Sequence, residues 1–148
     1  MKSRTKARAI ALQVLYEFDL SGHPIGEILQ NRFLEEELEE KYKKFTFDIV
    51  KGVNKAYPIL DEVIAEYAPE WPLDQVASID RNIIRIALWE FGVAKCSPVK
   101  VAINEAVELA KIYGSDSTPR FVNGVLGSLV SNYGDFSSKL DEMEQTGE

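Results

Sequence analysis

The fold is decided by the stretch IDRNIIRIALWE, residues 79–90. Projected at about 100° per residue, its apolar side chains cover nearly the whole circumference of a helix and leave only a narrow polar strip through Arg81 and Arg85. A helix that is apolar nearly all round needs other helices on every side. We therefore expect residues 79–90 to form the central, buried helix of the molecule.

Helical patterning continues upstream of this segment. Apolar residues spaced three and four apart predict a first helix that ends at Ser21-Gly22-His23-Pro24 and a second over about 26–38. A third is predicted over about 42–56 and a fourth around 60–67. Pro58 separates these two, because proline lacks an amide donor and clashes with the preceding turn.

Downstream, two serine/threonine–proline pairs predict helix starts. Ser97-Pro98 opens a helix over about 98–113, which Gly114 ends as a left-handed stop. Thr118-Pro119 opens a last helix that runs to about residue 133. We found no alternating pattern bounded by hairpin turns, so we expect an all-α single domain of about seven helices over 1–134, followed by an acidic tail, 135–148. Two alternatives stay open for that tail: a short docking helix through Phe136, Leu140 and Met143, or no helix.

Length and charge limit the function. The chain has 148 residues, enough for one domain, and its 17 basic against 24 acidic residues give a net charge of -7. That balance argues against a protein that coats nucleic acid non-specifically. The first 13 residues nevertheless hold four cations and no acid, while 135–148 hold five acids and one lysine. A local polyanion site therefore remains open; the four cations are Lys2, Arg4, Lys6 and Arg8.

The residues offer little to an enzyme. A single cysteine, Cys96, predicts no disulfide and a reducing, cytoplasmic location, and a single histidine, His23, predicts no multi-histidine metal site. The motifs of hydrolases, nucleotide-binding loops, redox dithiols and zinc proteases do not occur. We therefore expect no catalytic residues, no cofactor, no metal and no membrane span.

The outer side of the first helix suggests a nucleic-acid surface. Opposite its apolar stripe lie Lys2, Lys6, Ala9, Gln13 and Tyr16. Cations contact phosphates, a tyrosine offers a stacking surface to an unpaired base, and a small residue permits close approach. The alternative is a solvated basic helix start with Tyr16 packed on a neighbouring element.

The last helix carries a similar anomaly. Arg120, Gly124 and Gly127 fall opposite its apolar stripe, and Phe121 lies off the centre of that stripe. Each glycine costs a helix about 1 kcal/mol relative to alanine, so a pair on one face indicates a close neighbour. That neighbour is either another helix or the backbone of a ligand.

The helix over 98–113 has an apolar patch with an acidic rim. Val101 and Ile112 project outward beside Glu105 and Glu108. Such a patch suits a basic protein partner, unless another part of the chain covers it.

Four segments together resemble the NusB family of transcription antitermination factors. They are ARAIALQVLY at 7–16, IDRNIIRIALWE at 79–90, VAINEAVELAK at 101–111 and RFVNGVLG at 120–127. These motifs occur in family order and at family spacing, and they span most of the chain.

The resemblance implies an all-helical domain that binds the single-stranded boxA element in leader RNA of ribosomal RNA operons. The implied partner is the small-subunit ribosomal protein that acts as NusE, which links the complex to RNA polymerase. By motif, the RNA surface includes Tyr16, Arg120 and Phe121 as well as the basic arm of Lys2, Arg4, Lys6 and Arg8. Asp80 looks like part of the protein-partner surface, and Ser117 stands where relatives often have an acid.

Two other functions stay open at this point. One is a protein-binding adaptor that uses the acidic face of 98–113 and has little RNA affinity of its own. The other is the RNA-binding module of an rRNA methyltransferase, which needs a methyl-donor domain after this module. The length of 148 residues favours a stand-alone factor over that enzyme.

Overall fold

Seven α-helices form the part of the chain that the structure describes, residues 1–68 and 75–146. The structure is a computed structural model. It confirms the predicted all-α class, and its helices are α1 (Ser3–Ser21), α2 (Ile25–Glu35), α3 (Glu40–Tyr67), α4 (Ser78–Leu88), α5 (Val99–Tyr113), α6 (Thr118–Ser131) and α7 (Tyr133–Thr146).

Helix α4 is the predicted central helix. It contacts α1, α3, α5 and α6, and Ile83, Ile84 and Leu88 are fully buried. Its polar strip is also covered, because Nε and Nη2 of Arg85 donate to the carboxylate of Asp61 on α3 at 2.8 and 2.6 Å. The helix predicted from its apolar circumference is therefore surrounded on its polar side as well.

A five-residue π-helical turn, Trp89–Val93, extends α4. Its hydrogen bond from the amide of Ala94 reaches the carbonyl of Trp89, five residues back, at 2.9 Å. The next residue, Lys95, has a left-handed backbone with φ of 53°, which is uncommon outside glycine. The apolar pattern of residues 79–90 does not predict this π-helical turn.

The two helices predicted on either side of Pro58 are one. Helix α3 runs without interruption through 28 residues, with Pro58 inside it. Pro58 is exposed, whereas Val53 and Leu60, on the opposite side, are buried in one continuous stripe. Packing of that stripe stabilises the helix across the missing amide donor, so the prediction of a break at Pro58 is wrong.

The segment predicted as an acidic tail is part of the domain as far as the structure describes it. Helix α7 spans Tyr133–Thr146, and Phe136 and Leu140, four residues apart on one face, are fully buried. The ring of Phe136 lies 5.1 Å from that of Tyr67 and 5.4 Å from that of Tyr133. A boundary at 134 therefore does not separate core from tail.

The helix ends differ at one predicted position. Gly22 ends α1 in a left-handed conformation with φ of 69°, but Gly114 has an extended backbone with φ of -91°, so it is not a left-handed stop. A Cβ at Gly114 would lie 2.5 Å from the side chain of Thr118, so glycine there permits the start of α6 to approach the end of α5. No helix among the described residues is long and apolar enough to cross a membrane.

Candidate nucleic-acid interface

The basic arm begins as helix and is held against its neighbours. Lys2 and Arg4 are exposed, and the guanidinium of Arg4 lies 3.9 Å from the centre of the Phe45 ring on α3. The ammonium of Lys6 donates to the carbonyl of Glu37 at 3.0 Å and pairs with Glu36 at 3.4 Å. These contacts fix the direction of the arm while leaving its cations at the surface.

Arg8 is the exception, and its place in the predicted RNA surface is corrected. It is buried, and its guanidinium donates from Nε and Nη2 to the Glu90 carboxylate at 2.9 Å each and from Nη1 to Glu105 at 2.6 Å. Burial alone would lower the pKa of Arg8, but the hydrogen bonds and charges of the two carboxylates raise it overall. Arg8 is therefore a permanent cation inside the core, neutralised by acids and closed to a ligand.

Fewer residues on the outer face of α1 beyond the arm are accessible to a ligand than predicted. Tyr16 is 36% exposed, so its ring is accessible, but Ala9 is buried and offers no open approach. Gln13 lies between two partners: its amide donates to the hydroxyl of Tyr113 at 3.1 Å, and its carbonyl accepts from Arg32 at 2.7 Å. Arg32, on α2, thus joins this face.

The start of α6 forms a pocket of about 360 Å³. Arg120 is exposed and Phe121 is half-buried, and both line the pocket together with Asp80 and Ser117. The hydroxyl of Thr118 donates to Asp80 at 3.1 Å, which joins the start of α6 to that of α4. Two residues predicted to bind RNA and one predicted to bind a protein therefore share a single pocket.

The carboxyl of Asp80 has an altered affinity for its proton. Burial raises the pKa of Asp80 above its usual value, and the hydrogen bond from Thr118 opposes that change. A carboxylate that is partly desolvated in this way gains from a hydrogen-bond donor or cation that a partner brings to it.

The two glycines of α6 have no neighbour among the described residues. A Cβ added at Gly124 or at Gly127 would meet nothing within 4 Å, and both residues are exposed. Of the two neighbours considered for them, another helix of this chain is excluded within the described ranges.

The apolar patch on α5 is open. Val101 is 42% exposed and Ile112 is 52% exposed. Glu108, beside them, is exposed and pairs with Lys111 at 3.2 Å. Glu105 instead turns inward, where it binds Arg8 and accepts a hydrogen bond from Thr5 at 2.6 Å, so the rim of the patch is less acidic than predicted.

Sequence reasoning missed two residues of these surfaces. Arg32 was overlooked because α2 was judged by its apolar stripe alone, although a cation on the polar side of a helix next to α1 could have been noted. Thr118 was interpreted only as the start of a helix, whereas it also holds Asp80. Among the described residues, no group of three or more His, Cys, Asp or Glu side chains is placed so that it could hold a metal ion.

Comparisons with known proteins agree on one family. The model of the NusB family matches residues 5–131. The transcription antitermination protein NusB of Dehalococcoides mccartyi strain CBDB1 is 44% identical over 140 residues, covering 95% of this chain and 98% of the relative. That of Roseiflexus castenholzii is 47% identical over 132 residues, covering 88% and 93%.

Solved structures are similar in fold. A chain in a crystal structure of antitermination factors NusB and NusE in complex with double-stranded RNA has a TM-score of 0.81 and 25% identity, and the match covers 90% of this chain and 99% of that one. NusB of T. maritima has a TM-score of 0.77 and 29% identity, with 84% and 87% covered. The family consists of antitermination factors, which confirms that this protein is not an enzyme. With the family model spanning most of its length and relatives matching at more than 40% identity, the chain belongs to the NusB family.

Proposed function

We propose that this antitermination factor binds the single-stranded boxA element in the leader RNA of ribosomal RNA operons, together with the ribosomal protein NusE. In this role it supports rRNA transcription within a complex that contains RNA polymerase. The observation that carries the proposal is the pocket at the start of α6, where Arg120 and Phe121 lie beside Asp80. Surfaces for RNA and for a protein partner adjoin there, as a joint complex requires.

The RNA surface runs from the arm to α6. Lys2, Arg4 and Lys6 position the strand through its phosphates, and Arg120 does so at the other end. Tyr16 and Phe121 offer rings on which unpaired bases stack, a mode of contact open to single strands and closed within an A-form duplex. Gln13 lies on this surface as a candidate contact to a base edge.

The glycines of α6 add support for a backbone contact. With no side chain at Gly124 or Gly127, and open space above them, a ligand backbone can lie directly against the helix. They follow Arg120 by one and two helical turns, so the same strand could reach both.

NusE would meet a second surface. Asp80 accepts a hydrogen bond from Thr118 at the shared pocket, and Val101 and Ile112 form an exposed apolar patch beside Glu108. A basic ribosomal protein is complementary to this combination of acid and apolar area. Glu105 contributes to it indirectly, because it holds α5 to α1 through Arg8.

The exposed patch on α5 also favours the second candidate function, an adaptor that binds protein and has little RNA affinity of its own. The two functions differ in their response to salt. Contacts to several phosphates release counterions, so RNA affinity falls steeply between about 50 and 200 mM salt. Apolar docking of a protein shows no such loss.

The test is the binding of labelled boxA RNA, measured by fluorescence anisotropy with and without NusE, against a scrambled strand of equal length and composition. We expect boxA to bind more tightly than the scrambled RNA, NusE to increase that affinity, and added salt to weaken it. Equal and negligible affinity for both RNAs, with NusE present and absent, would reject RNA binding. Retained binding of NusE in that case would establish the adaptor.

A further inference from the structure

A second groove, of about 380 Å³, lies between α3 and the π-helical turn. We call it the α3 groove; its walls include Phe45, Lys51, Gly52 and Lys55 of α3, Trp89 of the turn, and Cys96 beyond it. None of these residues belongs to the RNA or NusE surfaces described above. The groove is of a size that holds part of a ligand, and its lining combines aromatic rings with cations.

Cations outnumber acids among the described residues that line the α3 groove. Lys51 and Lys55 line it together with one described acid, Asp48. That acid is already paired, because the ammonium of Lys44 lies 2.9 Å from its carboxylate. The described lysines of the groove therefore outnumber its one described carboxylate, whose charge Lys44 offsets.

The wall opposite the lysines is built by a close approach. The indole of Trp89 lies so near α3 that a Cβ at Gly52 would fall 2.3 Å from its Nε1 atom. Trp89 begins the π-helical turn, and such turns are frequent at functional sites because they displace a side chain from its regular helical position. The strained backbone of Lys95 follows directly, between the groove residues Ala94 and Cys96.

The α3 groove adjoins the basic arm. Phe45 lines one end of the groove, and Arg4 of the arm stacks over the same ring at 3.9 Å. From Phe45 to Lys55 the helix advances by ten residues, or about 15 Å at about 1.5 Å per residue. The cations Arg4, Lys51 and Lys55 thus follow one another along a continuous path that starts at the proposed RNA surface.

We infer that RNA flanking boxA continues past Arg4 into the α3 groove, where its phosphates contact Lys51 and Lys55. The inference rests on the proposed function, because the groove extends the path of the same strand. The contacts are to phosphate and sugar, since Phe45 and Trp89 are each more than nine-tenths buried and leave little ring surface on which a base could stack. The groove therefore lengthens the bound RNA without reading its sequence.

The test compares a boxA RNA with the same RNA extended by about six nucleotides of random sequence at the 5′ or the 3′ end. That length lies within the number of nucleotides that one single-strand-binding domain typically contacts. We expect one extended RNA to bind the wild-type protein more tightly. The double variant Lys51→Gln/Lys55→Gln should lose that gain and bind the short RNA as the wild type does. For the extended RNA, the double variant should show a shallower plot of log affinity against log salt concentration than the wild type. The slope should be smaller in magnitude by about 1.4, because two phosphate contacts are lost at about 0.7 each.

A charge-matched control is the double variant Lys100→Gln/Lys139→Gln, which removes two exposed lysines from α5 and α7. It should retain the gain from the extension. Occupancy is measured independently through Cys96, the single cysteine of the chain. Iodoacetamide should alkylate Cys96 more slowly in the presence of the extended RNA, and the short RNA should leave the rate unchanged.

The outcomes separate the two proposals. If the short boxA RNA binds but neither extension adds affinity or protects Cys96, the inference is wrong and the proposed function stands. If no RNA binds, the proposed function itself fails. Protection of Cys96 by polyglutamate equal to that by extended RNA would assign the groove to an acidic protein and overturn the inference.

Discussion

Arg8 and Glu90 form a two-pronged ion pair within the core, with Nε and Nη2 of the guanidinium each 2.9 Å from a different oxygen of the carboxylate. The pair joins α1 to the π-helical turn, and Ser97 donates a further hydrogen bond to Glu90 at 2.7 Å. Glu105 extends the network to α5. Three segments that are distant in the sequence thus meet at one buried cation.

Breaking this pair is expected to destabilise the fold strongly. Arg8→Met leaves Glu90 charged and without its partner in the core, which typically costs about 3–5 kcal/mol. The double variant Arg8→Met/Glu90→Leu should lose less than the sum of the single losses, because it removes both charges. Urea denaturation of the wild type, the two single variants Arg8→Met and Glu90→Leu, and the double variant gives the coupling energy between the two residues. Strictly additive losses of stability would contradict the predicted coupling. Below its unfolding transition, Arg8→Met should bind RNA as the wild type does.

The two accessible rings of the RNA surface are expected to contribute to affinity. Tyr16→Ala and Phe121→Ala should each weaken binding of boxA RNA by about 1–3 kcal/mol, the usual range for a base stacked on an aromatic ring. Tyr57→Ala, an exposed tyrosine on α3, is the matched control and should leave affinity unchanged. Anisotropy titrations measure the three variants. If all three bind equally well, Tyr16 and Phe121 are packing residues only.

The glycines of α6 should separate stability from binding. Gly124→Ala and Gly127→Ala are each expected to stabilise the protein by up to about 1 kcal/mol, since alanine is the better helix former and the space is open. Each should nevertheless weaken RNA binding, because a methyl group holds a ligand backbone away. Gly26→Ala in α2 also meets open space and should stabilise without affecting RNA. Unaltered RNA affinity in both α6 variants would show that no backbone lies there.

Asp80 should give the stability a particular dependence on pH. Because burial raises its pKa in the folded protein, the folded state holds the proton more tightly than the unfolded chain, whose value is near 3.8. The contribution of Asp80 to the free energy of unfolding is therefore fully present below the pKa of the unfolded chain. It is lost as the pH rises through the higher pKa of the folded protein. Asp80→Asn keeps an acceptor for Thr118 and removes the charge.

The variant should therefore gain stability relative to the wild type at neutral pH, and this advantage should shrink near about pH 4. Denaturant titrations at the two pH values measure the difference. Asp116→Asn, at an exposed acid ahead of α6, serves as the control. An advantage of Asp80→Asn that is constant with pH would refute the role of ionisation.

Helix α7 should behave as part of the core. Phe136→Ala removes a fully buried ring and should cost about 3–5 kcal/mol. Ser138→Ala, on the exposed side of the same helix, should alter stability by less than about 0.5 kcal/mol. Thermal and urea denaturation measure both. A loss below about 1 kcal/mol for Phe136→Ala would mean that α7 is dispensable for folding.

Periodicity predicted the helices well where each helix buries a regular stripe. The apolar circumference of 79–90 identified the central helix, and the serine/threonine–proline pairs located the starts of α5 and α6 to within two residues. The prediction from sequence was wrong at Pro58. A proline on the exposed side of a long helix costs less free energy than the packing on the other side of the helix contributes. That balance depends on tertiary contacts.

The site was harder to predict than the fold. Arg8 was assigned to the surface by its charge, and only a partner 82 residues away reveals why it is buried. Tyr16 and Arg120 are exposed, as their positions on the helical wheel predict, whereas Phe121 is half-buried and packs against the core. The sharing of one pocket by Asp80, Arg120 and Phe121 depends on how α4 meets α6, which no local pattern encodes.

The anchoring of the arm has a thermodynamic consequence. Helix α1 already includes Arg4 and Lys6, and contacts to Phe45 and Glu37 restrain both side chains in the free protein. A flexible basic tail would lose about 1–2 kcal/mol of backbone entropy for every residue that it orders on RNA. This arm is pre-organised, so RNA that binds there as proposed would meet a rigid surface. We therefore expect electrostatic steering, and not a folding step, to govern the rate of association.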